Sequence, residues 1–356
     1  MSIKNVLVII FLFILPLLIP STETLGNSQS EQILKGRENL ELGNFDEAIR
    51  CLKKAIEINP RAFDAYYYLG LAYGRIGNLQ EALISFTNAI NINPKYIEAY
   101  IKRAEVQIGL GSYREAIENC DEAIKVDPKN PNIYLIRCTA NFMDRNYNQA
   151  IKDCSKGIEL NPDLTLLDLA YFQRGEAYAQ LNNYDQAVDD YNKVLEILPN
   201  FADAFIARGE LFSKHGNYDQ SLKDFNKAIE SAPKSGIAYN AIAWFFATCK
   251  DSRYRDGKKA VQYAKKALLF TRDVKTNVNQ RASIYNTLAA SYAEVGDFNQ
   301  AVWMESKALD LYKPANIGDK TKARYKELIE AYKNKETYIQ WEERERGQPL
   351  TRDRPE

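Results

Sequence analysis

The sequence predicts an all-α fold in which one helical hairpin repeats along almost the whole chain. Apolar residues recur at the spacing of a helix face on both sides of a short break, which predicts two helices per repeat. Prolines mark the period, which is 34 residues except for one step of 37. They are Pro60, Pro94, Pro128, Pro162, Pro199 and Pro233. A period of this length is typical of helix–turn–helix units that bury their apolar faces by stacking on their neighbours.

Residues 65–94 show the two helices of one repeat. The first face consists of Tyr66, Leu69, Gly70 and Tyr73. The second face consists of Ala82, Phe86, Ala89 and Ile90. Both sets follow the i, i+3, i+4, i+7 spacing of a helix. Pro94 ends the second helix because proline lacks the backbone N–H that a continuing helix needs. The small residues indicate where two helix axes approach closely.

The break between the two helices has a recurring pattern of its own. Glycines suited to a left-handed helix end come first, at Gly43, Gly77, Gly111, Gly216 and Gly296. Polar N-cap residues follow, at Asn44, Asn78, Ser112, Asn146, Asn183, Asn217 and Asp297. Three residues after each cap stands Glu or Gln, which predicts a capping box that stabilises each helix by about 1 kcal/mol. Arg145 replaces the glycine in one repeat, so we expect that turn to be strained or different.

The motif Tyr66-x2-Leu69-Gly70-x2-Tyr73, with Ala82-x3-Phe86-x2-Ala89-x4-Pro94, resembles a tetratricopeptide (TPR) repeat. We count eight copies over residues 29–313, of which the seventh has a long turn at 248–257. The resemblance implies a right-handed α-solenoid superhelix. It also implies a role in protein binding, although the fold hosts many such roles.

The two ends of the chain do not fit the repeat. Residues 1–26 contain an uncharged run at 6–19 that would span about 21 Å as a helix, short of a hydrocarbon core of about 30 Å. This predicts an export signal and a periplasmic or extracellular location; the alternative is an uncleaved membrane anchor formed by residues 6–19. Residues 314–344 are expected to form a capping helix with a polar outer side, and 345–356 a disordered tail.

Composition argues against several function classes. The 47 basic and 47 acidic residues give a net charge of zero, which does not favour a general nucleic-acid or anionic-membrane surface. His215 is the single histidine, so a multi-histidine metal site is excluded. No glycine-rich phosphate loop, nucleophile elbow or His-Glu-x-x-His motif occurs. We therefore expect no catalytic residues, no metal and no cofactor.

Five cysteines allow two interpretations. Cys120 and Cys154 take the position of Phe86 in their repeats, and Cys138 takes that of Gly70. They are therefore expected to be small buried apolar residues. In an exported chain, the alternative is a disulfide among Cys120, Cys138 and Cys154. The odd total, which includes Cys51 and Cys249, argues against a complete disulfide framework.

Arginine takes the packed position of Leu69 in four repeats, at Arg103, Arg137, Arg174 and Arg208. Sixteen residues after these stand Asn119, Asp153, Asp190 and Asp224. A charge in a packed stripe needs a partner, so we predict bonds between the two helices of each repeat. The alternative interpretation is an arginine ladder that binds an anion.

The TPR resemblance implies that first helices line a concave groove. Its first row of positions includes Tyr67, Ile101, Leu135, Phe172 and Ile206. Its second row includes Leu71, Glu105, Thr139, Glu176 and Glu210. An apolar line edged by glutamates predicts a peptide or protein ligand with apolar side chains and some positive charge. Alternatively, these residues pack against neighbouring first helices.

Two further expectations concern binding. Lysine and asparagine do not fill the groove positions of the family's two-carboxylate clamp, so we expect no recognition of an acidic C-terminal peptide by that device. The long turn is expected to project Arg253, Tyr254 and Arg255, either as a second contact site or as a surface insertion without a binding role. The sequence thus predicts a non-catalytic scaffold for protein–protein interaction. The alternative functions are a membrane-tethered assembly factor and, more remotely, an enzyme or enzyme subunit.

Overall fold

The computed structural model describes residues 28–160, 164–271, 278–312 and 318–347. These residues form 18 helices and no strands. Sixteen of the helices form eight consecutive hairpins. Their bounds are α1 Gln29–Glu41, α2 Phe45–Ile58, α3 Phe63–Arg75, α4 Leu79–Ile92, α5 Ile97–Leu110, α6 Tyr113–Val126, α7 Pro131–Met143, α8 Tyr147–Leu160, α9 Leu164–Gln180, α10 Tyr184–Ile197, α11 Ala202–Lys214, α12 Tyr218–Ser231, α13 Gly236–Thr248, α14 Gly257–Phe270, α15 Val278–Glu294 and α16 Phe298–Asp310. The predicted all-α repeat fold is confirmed.

The chain divides into two compact units, with the boundary inside α10. Unit 1 ends at Lys193 and unit 2 begins at Val194. Within each unit, a second helix packs on the first helix of its own repeat and on the first helix of the next. Successive first helices also contact one another. They thus form a common surface, called here the first-helix face.

The predicted N-terminal signal or anchor at 1–26 and most of the predicted tail lie outside the described residues. Among the helices that the structure describes, none combines the length and apolar character needed to cross a membrane.

Close approach of the two helices depends on pairs of residues sixteen positions apart. A Cβ atom at Gly70 would lie 2.6 Å from Phe86 Cε1, so this position must stay glycine for the ring to pack. The same holds for Gly209, where a Cβ would lie 2.9 Å from Phe225 Cε1. The expectation of small residues at close helix contacts is confirmed at these positions.

One repeat replaces this small–large pair with a disulfide between Cys138 and Cys154, whose Cα atoms are 5.4 Å apart. Both residues are fully buried in a cluster with Ala150 and Ala177. Cys120 is buried and free, as are Cys51 and Cys249. Cys138 pairs with Cys154 because the sixteen-residue spacing places their two thiols on facing helices of one hairpin.

The turns inside the hairpins share one hydrogen-bond pattern. Gly77 adopts φ +78°, and the N–H of Asn78 donates to the carbonyl of Tyr73 at 2.9 Å. The N–H of Gly77 donates to Gly74 at 3.2 Å, which completes a Schellman motif. Equivalent bonds of 2.8–2.9 Å begin at Asn44, Ser112, Asn146, Asn183, Asn217 and Asp297.

This pattern makes the capping-box prediction largely wrong. In a capping box, the Glu or Gln side chain accepts a hydrogen bond from the backbone N–H of the N-cap residue. Here that N–H already donates to a carbonyl of the preceding helix. The side chains of Asn78 and Asp297 do accept from the backbone of Glu81 and Gln300, at 3.4 and 3.1 Å. Asn44 and Ser112 make no side-chain cap bond.

The turn at Arg145 has the same geometry as the others. Arg145 adopts φ +64°, and the N–H of Asn146 donates to Asn141 at 2.8 Å. The expected difference is therefore one of strain and not of shape, because a side chain disfavours the left-handed region.

The long turn of the seventh repeat packs down on its unit. Tyr254 donates to Asp219 Oδ1 at 2.6 Å, and its ring lies 5.5 Å from that of Tyr218. Arg255 pairs with Glu294 at 3.1 Å. Of the three residues expected to project, Arg253 alone is strongly exposed, with 81% of its side chain accessible.

The expected single capping helix at 314–344 is two helices, α17 Asp319–Lys333 and α18 Tyr338–Gly347. Lys335 interrupts them with φ +61°. Thr337 and Gln340 then form a reciprocal capping box, because Thr337 N–H donates to Gln340 Oε1 at 2.8 Å and Gln340 N–H donates to Thr337 Oγ1 at 3.4 Å. The positive φ of Lys335 ends α17, and the capping box at Thr337 starts α18. Helix α18 also includes residues 345–347, which were expected to belong to the tail.

The arginines lie where the spacing places them. Arg174 donates to both Asp190 oxygens at 2.8 Å, and Arg208 donates to both Asp224 oxygens at 2.7 and 2.8 Å. Arg137 binds Asp153 in the same two-pronged way, at 3.0 and 2.6 Å. In the third repeat, Arg103 donates to Asn119 at 2.7 Å. The aspartates are buried, and burial raises the pKa of Asp190 more than the arginine lowers it.

Each of three arginines also reaches back to the preceding repeat, a contact that the sequence analysis did not predict. Arg137 pairs with Asp121, and Arg174 donates to Ser155 at 2.9 Å. Arg103 approaches Thr87 at 3.4 Å. The sequence does contain a signal for this contact, because Thr87, Asp121 and Ser155 follow one another at intervals of 34 residues. Each of these arginines therefore joins three helices.

Replacing Asp190 with Ala should lower the free energy of unfolding by about 3–5 kcal/mol, because it leaves the partly buried Arg174 charge without its main partner. Chemical denaturation would measure the change. The control is Asp189→Ala, since Asp189 is exposed and should shift stability by less than about 0.5 kcal/mol. Equal effects of the two substitutions would contradict the structural role of the pair.

Replacing Arg145 with Gly should raise the free energy of unfolding by about 1 kcal/mol, because it removes a side chain from a left-handed backbone position. The reverse change, Gly77→Arg, should lower it by a similar amount. Denaturation curves of the two variants against the parent chain would check both signs. A destabilised Arg145→Gly variant would count against the argument.

Protein purified without reductant should expose three reactive thiols on denaturation and five after reduction. Closing a loop of this length stabilises a fold by about 3 kcal/mol, so reduction should also lower the melting temperature. In the control variant Cys249→Ser, two thiols should react before reduction, and reductant should still lower the melting temperature. Five reactive thiols before reduction would show that Cys138 and Cys154 are not linked.

Candidate functional site

The first-helix face of unit 1 carries a cluster of half-buried aromatic rings. Tyr67 lies at its centre, with ring centroids 5.0 Å from Tyr96 and 5.3 Å from Tyr68. Phe63 lies 5.0 Å from Tyr96 on the other side. Burial raises the pKa of Tyr67 and Tyr96, so both hydroxyls stay neutral at physiological pH. The cluster offers ring edges and neutral donors to a ligand.

Three other groove positions of unit 1 are also half-buried: Leu71, Ile101 and Phe172. Leu71 packs beside the Phe86 cluster, and Ile101 packs beside the cluster around Tyr100. The Phe172 ring lies 6.0 Å from that of Tyr191. Part of each side chain therefore supports the unit, and part remains accessible.

The remaining apolar positions of the predicted groove are core residues. Leu135 is 8% exposed and fills the space above Gly157, where a Cβ would lie 2.5 Å from Leu135 Cδ2. Thr139 is 5% exposed and donates to Gln173 at 2.9 Å. Ile206, in unit 2, is 7% exposed. All three residues are therefore buried by packing. Thr139 bonds to the next first helix, as the packing alternative expects, whereas Leu135 packs on the second helix of its own repeat.

The predicted acidic edge is partly used inside the protein. Glu105 pairs with Lys102 at 2.9 Å, and burial raises the pKa of Glu105 while Lys102 lowers it. Glu176 accepts from the Tyr191 hydroxyl at 2.6 Å. Glu210, in unit 2, is exposed. Glu105 and Glu176 therefore already have internal partners.

Unit 2 contains a cleft of about 560 Å³ between α13, α15 and α17. Its lining includes two cations and no carboxylate. The residues are Asn240, Trp244, Asn279, Ser283, Asn286, Thr287, Tyr312, Lys320, Thr321, Arg324, Tyr325 and Leu328. A volume of 300–1,000 Å³ with aromatic walls and a few polar groups is typical of ligand sites. This cleft was not predicted.

The amides of the cleft are held by neighbouring polar groups. Asn240 donates to Ser283 Oγ at 3.3 Å, while its own Oδ1 is buried and without a hydrogen-bond partner. Asn286 donates to Glu305 Oε1 at 2.8 Å. An unpaired buried acceptor is costly, so Asn240 Oδ1 suits a ligand N–H or O–H.

Glu305 lies behind the cleft wall, in the position that Phe86 fills in the second repeat. It is 0% exposed, and its Oε2 has no partner. Burial raises the pKa of Glu305 to about 8, whereas Asn286 and Arg324 lower it. The raised pKa favours the neutral form of this carboxyl near pH 7.

Two asparagines and two basic residues meet in unit 2, an arrangement that the groove positions did not predict. Asn240 and Asn286 come from the first helices of repeats seven and eight, and Lys320 and Arg324 lie one turn apart on α17. All four line one cleft. Sequence reasoning missed this arrangement because α17 was treated only as a cap. The i, i+4 pair of basic residues on its apolar side was the available signal.

No group of three or more His, Cys, Asp or Glu side chains is placed to hold a metal ion in the part of the chain that the structure describes.

Solved structures similar to this chain include Tom70, PilF and YrrB. Yeast Tom70 is 19% identical, covers 98% of this chain and 71% of its own, and has a TM-score of 0.58. PilF of Pseudomonas aeruginosa is 17% identical, covers 59% of this chain and 94% of its own, and has a TM-score of 0.51. YrrB, a TPR protein with an unusual peptide-binding site, is 25% identical, covers 53% of this chain and 96% of its own, and has a TM-score of 0.45.

A comparison with curated proteins gives no match. Family models do match. A TPR repeat model matches residues 36–77, and tetratricopeptide repeat models match 63–96, 97–130, 169–201 and 202–235. These matches confirm the resemblance drawn from the motif residues: the chain contains tetratricopeptide repeats.

Proposed function

We propose that this chain is a non-catalytic scaffold that binds a peptide or protein partner on its first-helix face. The observation that carries the proposal is the half-buried aromatic cluster around Tyr67. Its rings are held in fixed contacts yet remain partly accessible, and rigid aromatic anchors of this kind dominate binding energy at protein interfaces. The stacked repeats supply the rigid support for this surface.

The partner of unit 1 carries apolar side chains. Tyr67 and Leu71 on α3 and Ile101 on α5 leave apolar surface on two adjacent first helices, and Phe172 leaves more on α9. An extended or helical peptide can contact the adjacent pair with alternate side chains. Its positive charge stays a prediction, because Glu105 and Glu176 already have internal partners.

A second candidate function belongs to the cleft of unit 2. There Arg324 favours an anion, and Asn240 Oδ1 favours a hydrogen-bond donor. A polypeptide end offers both, because its carboxylate is adjacent to a backbone N–H. The site resembles the two-carboxylate clamp of TPR proteins. This candidate adds an acidic C-terminal peptide to the apolar partner of unit 1.

The chain acts outside the cytoplasm. The Cys138–Cys154 disulfide supports this location, because disulfides persist in oxidising compartments. The short apolar run at 6–19 supports export with cleavage after Gly26. The alternative is an uncleaved anchor that makes the chain a membrane-tethered assembly factor. Mass spectrometry of the mature N-terminus separates these alternatives, since cleavage leaves Asn27 first.

The double variant Tyr67→Ser/Ile101→Ser should lose at least about tenfold in capture of partners of unit 1, because it removes apolar contacts from two adjacent first helices. The measurement is quantitative affinity capture from an extract of the source cell, with the full chain as bait. The control is Ile84→Ser, which removes an exposed apolar side chain from the second helix α4. Identical partner recovery by all three baits would contradict binding on the first-helix face.

A short peptide with a free terminal carboxylate should bind the full chain at least about tenfold more tightly than its amide, because Arg324 forms a charge-assisted bond only with the acid. Calorimetry with acetyl-Leu-Phe-Ala and its amide, which has no carboxylate, would measure the ratio. Arg324→Ala should abolish the preference. Lys326→Ala is the control, because Lys326 is exposed on α17 and does not line the cleft. A preference that survives Arg324→Ala would place the site elsewhere.

A further inference from the structure

The rings of the aromatic cluster in unit 1 stand at steep angles to one another. The angle between ring planes is 65° for Tyr67 and Tyr96, 69° for Tyr67 and Tyr68, and 73° for Phe63 and Tyr96. All four side chains are half-buried, so each is held by its neighbours and is also partly accessible. Steeply inclined rings can form the walls of a cation site, because each ring face carries a partial negative charge.

One ring of the cluster already has a cation beside its face. The guanidinium carbon of Arg37, on α1 of the preceding repeat, lies 5.0 Å from the centre of the Tyr68 ring. This distance is short enough for a cation–π contact to stabilise the pair. The cluster therefore accepts a guanidinium from within the chain, on one of its four rings.

Carboxylates lie close to the same rings. Asp64 and Glu98 occupy equivalent positions in repeats two and three, one helical turn before Tyr67 and Ile101. Burial is the main cause that raises the pKa of Tyr96, and the nearby negative charges of Glu98 and Asp64 raise it further. The two acids are thus near enough to make the potential at the cluster more negative.

These acids differ from those of the predicted acidic edge. Glu105 is paired with Lys102, whereas neither Asp64 nor Glu98 forms an ion pair with any residue that the structure describes. Glu98 is exposed, and Asp64 Oδ1 accepts the N–H of Ala65 at 2.9 Å. A surface that combines unpaired negative charge with aromatic rings is complementary to a cation on an apolar stem.

We propose that the aromatic cluster of unit 1 binds an arginine side chain of the partner, with the guanidinium against Tyr67 and Tyr96 and beside Glu98. The inference rests on the function proposed for this face and names the chemistry of its partner, whose flanking apolar residues contact Leu71 and Ile101. Arginine fits better than lysine, because its planar guanidinium stacks on ring faces and pairs with a carboxylate through two N–H groups.

The test uses the full chain and two peptides, acetyl-Ala-Leu-Arg-Leu-Ala-amide and the same peptide with citrulline, which is neutral but close to arginine in shape. Both lack a carboxylate, so the unit 2 cleft does not select between them. The arginine peptide should bind roughly threefold to tenfold more tightly at low salt, the worth of one cation–π contact. Calorimetry would measure both affinities, and the preference should fall as salt rises.

A matched pair of substitutions tests the placement of the charge. Glu98→Gln keeps the size of the side chain and should reduce the preference for arginine about twofold, while binding of the citrulline peptide stays the same. Glu118→Gln is the control, because Glu118 is exposed on the second helix α6 and should leave the preference unchanged. No reduction by Glu98→Gln, or equal reductions by both substitutions, would contradict the proposed site.

Failure of the arginine site and failure of the apolar surface can be told apart. If the parent chain binds both peptides equally and Tyr67→Ser/Ile101→Ser loses both, the apolar surface stands and the arginine site is wrong. A preference for arginine that survives this double variant would also overturn the site. If the parent chain binds neither peptide, the arginine site is wrong, and capture of partners from the cell extract judges the apolar surface independently.

Discussion

The contact between residues sixteen positions apart is the constraint on which the rest of the structure depends. Each hairpin brings position i of its first helix against position i+16 of its second. At Gly70 and Phe86 the contact is a ring over a bare backbone, and at Cys138 and Cys154 it is a covalent bond. One position earlier, Arg174 and Asp190 use the same spacing for an ion pair. Different chemistries thus serve one geometry, because the Schellman turn sets how far the two helices are offset.

Much of this could be predicted from the sequence. The 34-residue period predicts the hairpins, and the spacing of Arg137 and Asp153 places them together because both positions recur in register. Hydrogen bonds in the turns were less predictable. Asn44 looks like the start of a capping box, yet its N–H is already bonded to Asn39. Sequence shows which groups can pair, whereas competition between partners is decided only by the folded backbone.

The candidate site was harder to predict for a related reason. Leu135 and Ile101 occupy equivalent positions in their repeats, but Leu135 is buried because Gly157 leaves space for it. The burial of a groove residue therefore depends on its neighbours in three dimensions. The unit 2 cleft depends on the position of α17, which supplies Lys320, Thr321, Arg324, Tyr325 and Leu328 and lies outside the repeat pattern. Periodicity predicts what recurs, and the cleft is formed where the repeat ends.

The reach of arginine into the preceding repeat has a consequence for how the chain loses its structure. In a stacked array, nearest-neighbour coupling determines whether hairpins melt singly or in blocks. Arg137 ties α7 to both α6 and α8, and Arg174 ties α9 to both α8 and α10. Opening one of these hairpins therefore breaks charged contacts in the next. We expect the middle of unit 1 to melt as a cooperative block, because Arg103, Arg137 and Arg174 link repeats two to five.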